Sequence, residues 1–180
     1  MISKGLLYFA GKRILLLQGP VGPFLGNLAK DLIRSGASVW KVNFNGGDWF
    51  FYPTGGIAFR KALDDWPAFL ERLLDQHEID TIMLFGDCRP IHRLAKEAVG
   101  HRKIHVWVFE EGYIRPNYVT FEYSGVNGNS KIPANALTTS HASFYPLSPS
   151  FKVTNAFWRS VGWACLYYVA ASFGKPFFPK

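Results

Sequence analysis

The chain has 180 residues, of which 48% are hydrophobic, 17% aromatic and 18% charged, and its formal net charge is +7. This composition excludes a mainly disordered chain and predicts one well-buried core. The basic excess favours anionic partners, although a basic solvated surface with no partner explains the charge equally well.

Apolar segments, taken in chain order, predict alternating strands and helices. Short continuous apolar runs predict buried strands over Arg13–Gln18, Val39–Asn43, Thr81–Gly86 and Ile104–Phe109. Apolar residues at helical spacing predict helices that begin near Pro23, Asp65 and Pro90. This alternation favours an α/β fold with a Rossmann-like parallel sheet and flanking helices.

Two segments are predicted as loops, and the chain closes with a predicted helix. The stretch FNGGDWFFYPTGG (44–56) and the Gly-, Ser- and Pro-rich segment Ser124–Ser150 favour loops, whereas Asn155–Phe173 favours a helix. We expect residues 1–150 to form the Rossmann-like domain. Residues 151–180 are expected to form a helix and a linker toward a second domain that this chain lacks.

Ligands in open parallel sheets bind beyond the carboxyl ends of the strands, so the loops there are the candidate sites. After the first strand, Gln18, Gly19 and Pro20 allow close backbone approach to an anion at the next helix, or form only a tight turn. After the second strand, Asn45 and Asp48 suit sugar hydroxyls, with Trp49 or Phe50 stacking on a sugar or base. The alternative is a capped glycine turn with its aromatic side chains in the core.

The third loop contains Asp87, which is suited to capping the next helix, and the polar residues Arg89 and His92. A cation near a helix start would suit phosphate or carboxylate contacts.

The fourth loop, FEEGYIRP, places Glu110 and Glu111 side by side at a strand end, followed by Arg115. Adjacent side chains at a strand end point in different directions, so we expect one carboxylate to face a cleft and the other to fix the loop. Arg115 would pair with one of them or with a ligand. A solvent-facing acidic turn is the alternative.

Several other classes of function are disfavoured by the sequence. No His, Cys or Asp grouping has metal-ligand spacing, so neither a metal nor a cofactor is expected. The basic residues do not concentrate on one predicted element, which disfavours nucleic acid as a partner. Two distant cysteines fit a reducing cytoplasm, and no signal peptide or membrane-spanning run is predicted.

Four motifs together resemble a known family. LLLQGPVGPFLGNLAKDL, VNFNGGDWFFYP, FGDCRPIH and VFEEGYIRPNYVTFE resemble the capsule polysaccharide biosynthesis and export proteins of Gram-negative bacteria, of KpsS or LipB type. The resemblance spans about residues 13–122 and continues weakly into the last helix.

The resemblance implies a glycosyltransferase with two Rossmann-like domains facing a cleft, a GT-B-like arrangement. Such a protein would transfer Kdo from CMP-Kdo, with retention of configuration, to a phosphatidylglycerol-type lipid and so start the capsule linker. The implied location is cytoplasmic and peripheral at the inner membrane, among capsule assembly and export proteins.

The resemblance also implies roles for particular residues. Related Kdo transferases carry a Glu-Asp-Gly-aromatic motif whose acid is implicated in catalysis, so Glu111 would take the catalytic place here, with Glu instead of Asp. Gln18, Gly19 and Pro20 would line the acceptor side. The histidine-proline nucleotide-binding motif expected in a second domain is absent, and we expect these 180 residues alone not to turn over.

A second hypothesis is a non-catalytic export or assembly component at the inner membrane. Its aromatic C-terminal segment would lie at a bilayer interface beside Lys175 and Lys180. The aromatic residues in question are Trp158, Trp163, Tyr167, Tyr168, Phe173, Phe177 and Phe178. A helix packed against a missing domain is the alternative for that segment, and a plain nucleotide-binding domain is a third interpretation of the chain.

Overall fold

The computed structural model describes residues 4–111, 119–131, 155–174 and 178. Five α-helices are found there: α1 (Phe24–Arg34), α2 (Gly46–Phe51), α3 (Trp66–Gln76), α4 (Pro90–Ala98) and α5 (Asn155–Phe173). Six strands form the sheet: β1 (Arg13–Leu16), β2 (Ser38–Asn43), β3 (Gly56–Ala58), β4 (Thr81–Phe85), β5 (His105–Glu111) and β6 (Val119–Tyr123). Short 3₁₀ segments lie at Lys4–Phe9, Leu63–Asp65 and Asn127–Asn129.

The sheet has the order β3-β2-β1-β4-β5-β6, and all neighbours except β5 and β6 run parallel. This is the strand order of Rossmann folds, in which the chain reverses its direction of travel across the sheet between β1 and β4. The predicted Rossmann-like α/β fold is therefore confirmed. The edge strand β6 was not predicted, because its alternately exposed residues, VTFEY, resemble a polar connection more than a buried strand.

Both faces of the sheet are covered, as the continuous apolar runs predict. Leu15 packs with β2, β4 and β5 residues and with α3 on one face, and Leu16 packs with α1 and Phe85 on the other. Both leucines are completely buried. The successive side chains of one strand thus belong to two separate cores.

The predicted strands and helices are present in the structure, which differs from the prediction at three places described next. The stretch 44–56 is not a long loop, because Asn45 caps the short helix α2 and β3 begins at Gly56. Strand β5 continues through Glu111, so both carboxylates belong to the strand and not to the turn after it. Strand β1 ends at Leu16, two residues before Gln18.

Helix α1 ends where the sequence indicates, and helix α5 has its predicted bounds. Gly36 follows the last turn of α1 with φ +95°, a conformation that glycine adopts without steric cost. Of the predicted loop Ser124–Ser150, residues 124–131 contain only the 3₁₀ turn, and the remainder lies outside the described residues.

Candidate functional site

The loops that follow β1, β2 and β4 meet at the carboxyl edge of the sheet. Each supplies one or more of the polar residues selected from the sequence: Gln18 from the first, Asn45 and Asp48 from the second, and Arg89 from the third. Because β1 and β4 are the strands at which the chain changes direction, this is where a Rossmann sheet opens a crevice.

Asp48 is the centre of a hydrogen-bond network that joins two of these loops to α5. Its Oδ2 accepts from the Phe44 backbone N–H (3.0 Å) and from Gln18 Nε2 (3.3 Å). Its Oδ1 accepts from the Tyr167 hydroxyl (3.2 Å). The side chain is buried, and the network fixes its carboxylate beside a small cavity at this edge of the sheet.

Asn45 has a local and a long-range partner. Its Oδ1 accepts from the Asp48 backbone N–H (2.8 Å), which caps α2. Its Nδ2 donates to the Tyr167 hydroxyl (2.8 Å). The capped-turn alternative is therefore correct for the backbone. The aromatic burial that it included is wrong for Trp49 and Phe50, which are 52% and 44% exposed.

Arg89 ties the β4 loop to the β1 loop. Its Nη1 donates to Gln18 Oε1 (3.0 Å) and to the Gly19 carbonyl (3.1 Å). Gln18 thereby contacts a cation through its oxygen and a carboxylate through its nitrogen, which fixes the orientation of its amide. Pro20 and Gly19 line a small cavity beside this network.

Asp87 lies in the same loop but faces another cluster. Its Oδ2 accepts from Lys96 Nζ (3.2 Å) and from Asn129 Nδ2 (3.0 Å). Burial alone would raise the pKa of this carboxyl, but the bonds from Lys96 and Asn129 outweigh burial and lower it. Asp87 is thus an ionised tie between α4 and the segment after β6, and it does not cap α4 with a side-chain hydrogen bond.

His92 is fully buried in the first turn of α4. Its Nδ1 donates to the Gly86 carbonyl (2.5 Å), and its Nε2 has no hydrogen-bond partner among the described residues. Burial is the main cause that lowers the pKa of His92 to about 4, so the ring is neutral at pH 7. A neutral buried ring differs from the phosphate-binding cation that the sequence suggested.

Glu110 and Glu111 point to opposite faces of β5, as adjacent strand residues must. Glu110 is half-buried and lies on the same face of β5 as Val108. Its carboxylate is close to the Gly86 turn, because a Cβ placed on Gly86 would lie 3.5 Å from Glu110 Oε2. Its Oε1 accepts from the Glu111 backbone N–H (3.0 Å). Glu111 is exposed on the other face, and Arg115 lies outside the described residues.

Two residues of this region were missed in the sequence. Lys41 Nζ is buried and donates to the Val42 carbonyl and to Asn43 Oδ1 (3.0 Å each), and burial lowers its pKa despite the nearby Asp48 charge. Tyr167 was named only among the aromatics of the bilayer-interface hypothesis, whereas its hydroxyl lies in the network with Asn45 and Asp48. For Lys41, the available signal was a lysine inside an otherwise apolar strand. Tyr167 is 119 residues from its partner Asp48, and no local pattern indicates such a contact.

The structure thus brings most of the selected residues to one edge of the sheet. Gln18, Gly19, Asn45, Asp48 and Arg89 form one connected group, with Pro20 beside it. Asp87, His92 and Glu110 surround the Gly86 turn at the end of β4. Among the described residues, no three His, Cys, Asp or Glu side chains are placed to hold a metal ion.

The sequence of the chain matches a family model. That model, described as capsule polysaccharide biosynthesis protein, matches residues 80–180, which are more than half of the chain. The chain belongs to this family. The resemblance to its KpsS and LipB type is confirmed by individual relatives.

These relatives carry capsule-related names. Two proteins named capsule polysaccharide modification protein LipB, from Neisseria meningitidis serogroups A and B, are each 44% identical over 130 residues, 71% of this chain and 31% of the relative. The capsule polysaccharide export protein KpsS of Escherichia coli is 36% identical over 178 residues, 95% of this chain and 44% of the relative. The chain spans less than half of the length of each of these family members.

Within the described part of this family member, no helix is both long enough and apolar enough to cross a bilayer. Helix α5 is nevertheless apolar around much of its circumference, and Trp158, Tyr168 and Phe173 are each more than 60% exposed.

Proposed function

We propose that this chain forms the N-terminal, Rossmann-like half of a GT-B-like transferase that moves Kdo from CMP-Kdo to a phosphatidylglycerol-type lipid. The observation that carries the proposal is the convergence of polar side chains from three loops at one sheet edge, in a member of a capsule polysaccharide family. In this proposal, the site lies on the cytoplasmic side of the inner membrane, where capsule assembly and export proteins would be its partners.

The reaction would break the bond between the anomeric carbon and the CMP phosphate oxygen, and the phosphate would leave with the bonding electrons. Positive character would then develop at the anomeric carbon. A carboxylate beside that carbon stabilises this charge, or attacks to give a covalent intermediate that the acceptor hydroxyl later displaces with loss of its proton. Net retention follows from the two displacements.

Glu111 is the proposed catalytic carboxylate, and Glu110 is its neighbour on the opposite face of β5. A strand holds its side chains more rigidly than a loop does, so the extension of β5 through both residues supports a defined position for either carboxylate. Gln18, Gly19 and Pro20 would line the acceptor side. The network of Asn45, Asp48 and Arg89 would contact sugar hydroxyls or the phosphate.

The decisive experiment compares Glu111→Gln with Glu110→Gln in the protein expressed from its complete reading frame, measured as Kdo transfer from CMP-Kdo to lipid. We expect Glu111→Gln to lower kcat by about 100-fold or more, because one charge that stabilises the transition state is lost. Glu97→Gln, an exposed carboxylate on α4, is the matched control and should be silent. A larger loss with Glu110→Gln than with Glu111→Gln would move the catalytic role to Glu110.

A non-catalytic assembly role at the inner membrane is the second candidate, because aromatic side chains of α2 and α5 are exposed to solvent. Such side chains suit the interfacial region of a bilayer. The Glu111→Gln variant separates the two candidates. Unchanged lipid glycosylation by a folded variant would support the assembly role and contradict the transferase.

The 180-residue chain alone provides a further check. We expect it not to transfer Kdo, since the proposed reaction needs a second domain for the nucleotide. Robust turnover by this chain would contradict the two-domain proposal.

A further inference from the structure

Helix α5 contributes a side chain to the crevice, although no sequence pattern assigned it there. The Tyr167 hydroxyl donates to Asp48 Oδ1 (3.2 Å) and accepts from Asn45 Nδ2 (2.8 Å) and Gln18 Nε2 (3.3 Å). A phenol hydroxyl has one proton and two lone pairs, so its hydrogen-bonding capacity is fully used. Tyr167 therefore bonds to candidate site residues from both the β1 loop and the β2 loop.

The Tyr167 ring is held as firmly as its hydroxyl. A Cβ on Gly47 would lie 2.6 Å from the ring, so the ring occupies the space that only a glycine leaves open. On another side the Phe51 ring is nearly parallel to it, with centroids 6.4 Å apart. These contacts leave the hydroxyl a single well-defined position over the polar network.

The backbones of α2 and α5 also approach closely beside this ring. A Cβ on Gly46 would lie 2.2 Å from the Ala170 carbonyl oxygen, and one on Gly174 would lie 2.7 Å from the Gly46 Cα. Gly46 and Gly174 have no side chains, so the two backbones can come this close. Helix α5 packs against α2 here only because both residues are glycine. The position of Tyr167 is therefore built into the fold.

We propose that Tyr167 is a positioning residue of the site, which orients the Gln18 and Asn45 amides and the Asp48 carboxylate for the ligand. This inference rests on the proposed transferase function for its catalytic consequence. Its geometric content, that the hydroxyl holds three side chains in place, does not depend on that function. The polar groups so held are two amides and a carboxylate, and such groups recognise a sugar hydroxyl by donating to it and accepting from it.

The test uses Tyr167→Phe, which removes the hydroxyl and keeps the ring against Gly47 and Phe51. Tyr168→Phe is the matched control, because Tyr168 is the next residue and is 64% exposed. Two measurements are made on each variant: the side-chain amide NMR signals of Gln18 and Asn45 in the 180-residue chain, and Kdo-transfer kinetics of the protein from its complete reading frame.

We expect Tyr167→Phe to shift both amide signals and lower their order parameters, while the backbone amides of α5 keep their protection from exchange. In the kinetic measurement, kcat should fall by at least about 10-fold, with KM for CMP-Kdo changed by less than about 3-fold, because the contacts themselves remain possible but the bound sugar is no longer held in the reactive orientation. Tyr168→Phe should leave both measurements unchanged.

Each other outcome has a definite meaning. Unchanged amide signals in Tyr167→Phe would overturn the inference. Shifted signals with an unchanged kcat in an active protein would reduce Tyr167 to a structural residue and also overturn it. If the unmutated full-length protein transfers no Kdo, the proposed function fails, and the amide signals alone decide whether Tyr167 positions the polar groups.

Discussion

Single residues in this chain show how one side chain can satisfy the backbone and also form part of a site. Asn45 caps α2 with its oxygen and donates to Tyr167 with its nitrogen. Asp48 Oδ2 accepts from the Phe44 backbone N–H and from Gln18, while its Oδ1 accepts from Tyr167. The sequence left capping and ligand binding as alternatives for these residues. Because an amide and a carboxylate each have two polar ends, one end can bond to the local backbone while the other bonds to Tyr167.

The buried histidine gives a testable pH dependence at the residue scale. The pKa of His92 is about 4 in the folded chain and 6.5 when the residue is free of its surroundings. The unfolded chain therefore takes up a proton as pH falls through 6.5, whereas the folded chain does not do so until about pH 4. Folding stability contributed by the neutral ring is full above pH 6.5 and is lost as pH falls toward 4, by about 3 kcal/mol at most.

His92→Asn should remove this loss, because the Asn side chain can still donate to the Gly86 carbonyl but does not titrate. The measurement is the urea midpoint of each variant at pH 7 and at pH 4.5. His101→Asn, at an exposed histidine, serves as control and should follow the unmutated chain. An unmutated chain whose midpoint does not decrease between these pH values would contradict a buried, neutral His92.

At the scale of elements, the two glycines of NFNGGDW allow α5 to pack closely against α2. Both Gly46 and Gly47 face the last turns of that helix at distances that exclude any side chain. The sequence analysis assigned the stretch 44–56, which contains both glycines, to a loop, whereas the two glycines begin α2. The close approach that these glycines allow is to another part of the same chain.

Substitutions of glycine by alanine at this contact and at an exposed position of α5 should have opposite effects. Gly46→Ala should destabilise the chain by about 1–3 kcal/mol, because its Cβ would meet the Ala170 carbonyl. Gly162→Ala lies in α5 with open space around its Cβ position, and it should stabilise by about 0.5–1 kcal/mol through helix propensity.

Both free energies can be measured by urea unfolding, and hydrogen exchange of the α5 amides reports whether the helix stays docked. Faster exchange is expected for Gly46→Ala alone. Equal exchange in the two variants would mean that α5 does not depend on the glycine contact.

For the whole molecule, the position of the sheet between two cores decides how substitutions in a central strand act. Leu15 and Leu16 are adjacent in β1 and both are completely buried, on opposite faces. An antiparallel sheet with one solvated face would bury only one of two neighbouring residues.

We therefore expect Leu15→Ala and Leu16→Ala each to cost about 2–5 kcal/mol of unfolding free energy. Val119→Ala in the edge strand β6, where the side chain is 44% exposed, should cost less than about 1 kcal/mol. Chemical denaturation of the three variants provides the comparison. A small effect for either leucine would show that its face of the sheet is not part of a packed core.

Apart from α2 and β3, the order of strands and helices up to β5 was predictable from the sequence alone, because apolar periodicity is a local property of the chain. The same holds for α5, whose predicted bounds agree with the structure, and for the polar residues that follow β1, β2 and β4. The edge strands β3 and β6 and the short helix α2 were missed. None of the three carries a long apolar pattern, and all depend on contacts with neighbours.

The tertiary structure alone decided which polar residues meet. Gln18 and Tyr167 are 149 residues apart, and only the docking of α5 on α2 brings them together. It also decided that His92 is a neutral buried ring and that Glu110 and Glu111 lie in a strand. Hydrogen bonds and burial depend on distances between remote segments, and local sequence patterns do not specify these distances.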